Sequence, residues 1–132
     1  MIHFHKPITT YFPKKNYQKK SLDRILDGAK KRHSPQYDQN KIYWLENFPE
    51  KDGLTSIIVM DENQNVTNLT GEKYSIQSKV HEYGGGAYIV KDGKIIFVNS
   101  SDQNLYQINK TNIKRITRNP SYRFGDLSMF QD

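Results

Sequence analysis

The chain has 132 residues, of which 35% are hydrophobic and 26% charged, with 9 Tyr, 6 Phe and a net charge of +6. That length allows one small domain or part of a larger one, and the aromatic content excludes a disordered chain. The absence of Cys excludes a disulfide framework, thiolate chemistry and a Cys-ligated zinc site.

Charge is unevenly placed. Residues 1–41 hold 10 Lys/Arg against 3 Asp, a surplus of +7, whereas residues 42–132 hold 10 Lys/Arg against 11 Asp/Glu, or −1. The chain therefore reads as a basic leader, residues 1–40, joined to a nearly neutral body, residues 41–132. A leader of this kind can touch an acidic surface, but it lacks an RNA-binding sheet motif or a zinc-finger spacing. Nucleic acid is accordingly not expected as a partner. No stretch approaches the roughly 20 apolar residues that cross a bilayer, and the amino terminus lacks an apolar run of signal-peptide length. No membrane association is expected, and a cytoplasmic location is.

Residues 1–20 read as extended, interrupted by Pro7 and Pro13. Residues 21–32 predict the one helix. Ser21 caps its start, and Leu22, Ile25, Leu26 and Ala29 form an apolar stripe at i, i+3, i+4 and i+7. From residue 40 the pattern is of short strands and turns. Strands are predicted at Ile42–Glu46, Leu54–Asp61 and Val66–Leu69, with a loop over Asn47–Gly53. Ala87–Lys91 and Lys94–Asn99 form a hairpin across Asp92-Gly93, where both central positions tolerate φ > 0. Leu105–Ile108 and Ile113–Thr117 follow. Ile57–Met60, Ala87–Val90 and Ile95–Val98 are apolar at every position, so these strands need cover on both faces. With no helix between strands, an all-β fold of stacked four-stranded blades or sandwich layers supplies that cover.

The most distinctive segment is His81-Glu82-Tyr83-Gly84-Gly85-Gly86. Three glycines in a row open backbone conformations closed to other residues and allow another chain to approach closely. No Gly-Lys-Ser/Thr follows, so this is no P-loop; the glycines precede a strand, so it is no dinucleotide fingerprint. The segment resembles the His-Glu-Tyr-Gly-Gly-Gly signature in the propeller of prolyl-oligopeptidase-like serine peptidases of the acylaminoacyl and dipeptidyl peptidase type. Lys6-Pro7-Ile8-Thr9, Ile42-Tyr43-Trp44-Leu45-Glu46, Ile95–Asn99 with Asp102-Gln103-Asn104-Leu105-Tyr106, and Arg123-Phe124-Gly125-Asp126 resemble family motifs in the same order.

The resemblance implies an all-β partial propeller of one to two antiparallel four-stranded blades. In that family the propeller admits short peptides to a Ser-Asp-His triad on a separate α/β-hydrolase domain. This sequence has no Gly-x-Ser-x-Gly, so it is expected to carry no catalytic residue, no metal and no cofactor, and to read as a truncated, non-catalytic gate. A peptide substrate is implied only for a complete enzyme; self-association or the remaining domains are the other partners implied. The alternative is a free-standing β interaction module whose leader binds an acidic partner or nucleic acid. His81 and Glu82 are adjacent, so on a strand they face opposite ways and make no acid/base pair by spacing alone. They read either as channel-lining groups or, with Tyr83, as hydrogen-bonding groups that fix a glycine-rich turn. Tyr43 and Trp44 read as core, and His3 with His5 lack a third metal ligand nearby.

Overall fold

The computed structural model describes residues 32–80, 86–119 and 121–129. Most of the expected helix (residues 21–31), together with His3, His5 and His81–Gly85, lies outside these. Arg32, expected to end that helix, is instead the first residue of a strand. Its guanidinium meets Glu46 at 2.9 Å, the residue directly across the ladder, which gives the charge a cross-strand partner.

Eight strands follow in chain order: β1 (Arg32–Asp38), β2 (Lys41–Phe48), β3 (Leu54–Met60), β4 (Val66–Asn68), β5 (Tyr88–Lys91), β6 (Lys94–Val98), β7 (Leu105–Asn109) and β8 (Asn112–Arg115). They form two antiparallel four-stranded meanders, β1-β2-β3-β4 and β5-β6-β7-β8. The β5–β6 hairpin turns on Asp92 and Gly93 at φ 51° and 78°, as their residue types predict. The Asn47–Gly53 loop contains a 3-10 turn at Pro49–Lys51.

β1 is the strand that the sequence pattern did not reveal. Its residues, RHSPQYD, do not alternate, and Pro35 sits inside it. The register shifts between His33 and Gln36, and Ser34 adopts φ 55°. Proline is tolerated there because, among the described residues, β1 pairs only with β2, and it bulges where the proline falls.

The apolar run Ile42–Leu45 divides by strand alternation. Tyr43 and Leu45 join Ile57, Val90, Ile95, Phe97, Tyr106 and Ile108 in the core between the two sheets, while Ile42 and Trp44 pack with Ile58 and Met60 on the other face of the first sheet. Each strand thus needs cover on both sides, as its composition predicts. Ile42 and Ile95 are the first residues beyond the closing pairs Asp38–Lys41 and Lys91–Lys94 of equivalent hairpins. Yet Ile95 faces the first sheet, and Ile42 faces away from the second. The second sheet repeats the first with the same face turned toward its predecessor, the stacking rule of a propeller. The inner strands β1 and β5 then lie side by side. Tyr74, in the connector between the sheets, adds edge contacts to Phe97 and Tyr106 at 5.6 and 5.0 Å between centroids.

Candidate functional site

Antiparallel order sends the β2–β3 and β6–β7 loops and the blade-to-blade connectors to one end of the sheets, and the tight hairpins to the other. Gly86, the last residue of the glycine-rich signature, lies at the connector end, just before β5. Of the signature's six residues, Gly86 lies within the described chain, and the described residues on either side of the signature are tied to other segments. Before it, the Lys79 amide donates to Gln103 Oε1 at 3.0 Å, and the Ser78 hydroxyl donates to the Phe124 carbonyl. After it, the Gly86 carbonyl accepts from the Leu127 amide at 3.2 Å.

Gly86 adopts φ +69°, and a Cβ added there would sit 2.5 Å from both the Cα and the backbone nitrogen of Asp126. Only glycine permits this approach, because the obstacle is backbone that cannot swing aside. The sequence suggested room for another chain; at Gly86 the approach is made by this chain's own segment Arg123-Phe124-Gly125-Asp126.

The β6–β7 loop supplies a stiff wall. Gln103 is buried; its amide nitrogen donates to the carbonyls of Gln77 and Ser100, both at 3.0 Å. Asp102 accepts from the Tyr106 hydroxyl at 2.6 Å, the Asn104 amide at 3.0 Å and Asn99 Nδ2 at 3.3 Å. Burial raises the Asp102 carboxyl, but these hydrogen bonds, led by Tyr106, outweigh it and leave the group below its ordinary value. Burial, followed by the Asp102 contact, pushes the Tyr106 phenol up.

Beside this wall opens a cleft of about 390 Å³ lined by Lys79, Arg115, Arg118 and Arg123, with Asp102 and Gln103. The sequence reading missed it, because Arg115 and Arg118 trail a polar strand end and carry no motif of their own. Tyr43 and Trp44 are both buried in the sheet, which is a core role for each. His33 lies on β1, its Nδ1 2.9 Å from Ser34 Oγ, and burial lowers its pKa. Among the described residues no group of three His, Cys, Asp or Glu side chains is placed to hold a metal, and no helix is long and apolar enough to cross a membrane.

Two successive four-stranded blades, same face forward and inner strands adjacent, define a partial β-propeller. Among solved structures the chain is similar to a puromycin-hydrolyzing peptidase of Mycobacterium tuberculosis, with 27% identity, a TM-score of 0.57 and 65% of this chain covered. It shares the fold of puromycin hydrolase (16% identity, TM-score 0.54, 58% covered) and of a mutant of puromycin hydrolase complexed with PGG (14%, 0.61, 66%). The chain spans only 14%, 12% and 15% of those three chains. No protein-family model matches the sequence, and no curated protein matches it significantly. The resemblance to peptidases of the prolyl oligopeptidase family therefore holds in the folded chain, which matches only a small part of each of them.

Proposed function

We propose that this chain forms the opening blades of a substrate-gating propeller in a prolyl-oligopeptidase-like serine peptidase. The observation that carries this reading is the likeness, at 27% identity, of these two blades to part of a puromycin-hydrolyzing peptidase. The repeating blade face supports it, because a stack in which each unit turns the same face backward can continue into further blades. In such an enzyme the chemistry is acyl transfer to a serine followed by hydrolysis of the acyl-enzyme. These blades contribute wall and selectivity; the nucleophile, base and oxyanion donors belong to a hydrolase domain.

A chimera tests the gate. Residues 32–129 replace the matching segment of the puromycin-hydrolyzing peptidase, and hydrolysis of a short chromogenic peptide is compared with digestion of a folded protein. Retained peptide hydrolysis with exclusion of the folded protein supports the reading. A folded chimera that digests folded protein, or rejects the peptide, overturns it. The 132-residue chain alone is expected to hydrolyse no peptide anilide, and turnover blocked by a serine-directed inhibitor would contradict that.

A further inference from the structure

We infer that the cleft beside the second blade is an oxyanion site, taking the carboxylate or phosphate group of a small ligand on Lys79, Arg115 and Arg118. This inference does not depend on the peptidase reading.

Four cationic side chains and one carboxylate line the cleft. The body that carries them, residues 42–132, has a net charge of only −1, so the accumulation is local. The carboxylate offsets only one of these charges, and its two oxygens are already engaged by hydrogen bonds from Tyr106, Asn104 and Asn99. The ion pairs Arg32–Glu46 and Lys51–Glu72 involve none of Lys79, Arg115 and Arg118. The side chains of Lys79, Arg115 and Arg118 have no hydrogen-bond or ion-pair partner among the described residues. Like charges converging on one cavity repel, and a bound anion reverses the sign of that interaction. Guanidinium forks match the two oxygens of a carboxylate or phosphate, and a lysine adds a point charge. The wall is set in advance, because the Gln103 side chain holds Gln77, Lys79 and Ser100 by their backbones. A cavity of about 390 Å³ admits an oxyanion with a short attached chain.

The test uses the full 132-residue chain at low ionic strength, titrated while backbone amide NMR signals are followed. The probes are inorganic phosphate, a short peptide with a free carboxyl terminus, and the same peptide as its carboxamide. The expected result is saturable shifts at Lys79, Gln103, Asn104 and Arg115 with phosphate, the free acid or both, and none with the carboxamide. Preference for the acid assigns a peptide carboxylate; preference for phosphate assigns a phosphoryl group. Arg115→Gln and Arg118→Gln are each expected to weaken binding about tenfold, the loss of one charge-assisted contact. Lys19→Gln with Lys20→Gln in the leader is expected to leave it unchanged. Absence of shifts at these amides with every probe, or undiminished binding in the Arg115→Gln/Arg118→Gln variant, overturns the assignment. Should that double variant fail to fold, Lys79→Gln must show the same weakening for the site to stand.

Discussion

The side-chain amide of Gln36 docks onto the free edge of the second blade at Val90. Its Oε1 accepts from the Val90 amide at 3.0 Å, and its Nε2 donates to the Tyr88 carbonyl at 3.0 Å. The Ala87 carbonyl accepts from Val98 on the β6 side, so Tyr88 and Val90 point their backbone groups the other way. One glutamine thus stands in for a missing strand. Ser34 and Asp38, two residues to either side, continue the seam. The Tyr88 hydroxyl donates to the Ser34 carbonyl, and the Asp38 carboxylate accepts from the amides of Asp92 and Gly93, both at 2.9 Å.

Gln36→Ala is therefore expected to destabilise the protein by about 2–4 kcal/mol, since it strands a buried donor and a buried acceptor together. Gln36→Glu keeps the acceptor for Val90 but loses the donor for Tyr88, and should cost a comparable amount at neutral pH. Asp38→Ala, at an exposed turn, should cost about 1 kcal/mol. Urea denaturation of the three variants checks the order. An Asp38→Ala loss larger than that of Gln36→Ala would show that the turn, not the strand edge, holds the blades together.

Gly86→Ala tests the close approach within the signature. At φ +69° an alanine is strained, and its Cβ meets the Asp126 backbone at 2.5 Å. The variant should lose about 1–3 kcal/mol and release the Leu127 amide from its bond to the Gly86 carbonyl. Hydrogen exchange at Leu127 reads this directly. Exchange as slow as in the parent protein would mean that the segment holds by other contacts.

Much of this architecture is legible in the residues, for reasons that also explain what is not. The β5–β6 hairpin declares itself because Asp92-Gly93 both tolerate positive φ and the flanking runs are apolar throughout. β2 and β3 are visible for the same reason: strands covered on both faces leave continuous apolar runs. β1 leaves no such trace, because its stabilising contacts are polar and distant. Gln36 finds its partners 52 and 54 residues away. The signature glycines announce an unusual backbone, but only the folded chain shows that Gly86 makes room for Asp126. The cleft is assembled from Lys79, the β6–β7 loop and the tail of β8, which are far apart in sequence and share no motif.

Trp44 offers a spectroscopic view of the first blade. It is the sole tryptophan, it is 3% exposed, and its Nε1 is buried without a hydrogen-bond partner among the described residues. A stranded donor costs free energy that a phenyl ring does not incur. Trp44→Phe should therefore cost less than about 1.5 kcal/mol, whereas Trp44→Ala should cost about 3–5 kcal/mol through the cavity it leaves. Parent emission should be blue-shifted and resistant to acrylamide. Equal losses for the two variants by denaturant titration would show that the indole nitrogen does find a partner in solution.

Asp102 should contribute to acid stability with a definite sign. Its carboxyl titrates below the ordinary 3.8 in the folded protein, so the unfolded chain binds the proton first. Its contribution is fully present above that ordinary value and is lost as pH falls through the depressed folded one. Tyr106 works at the other end: its phenol is raised above 10.0, so stability should fall as pH climbs past that value. Asp102→Asn removes the acid titration while leaving an oxygen that can accept from Tyr106. The variant should be less stable than the parent at pH 7 and lose less of its stability between pH 5 and the acid limit, since Asp61 and Glu72 still titrate low. Chemical denaturation across that range measures the difference in slope. Parallel curves for parent and variant would show that the hydrogen bonds from Tyr106, Asn104 and Asn99 do not discriminate between the charged and neutral carboxyl.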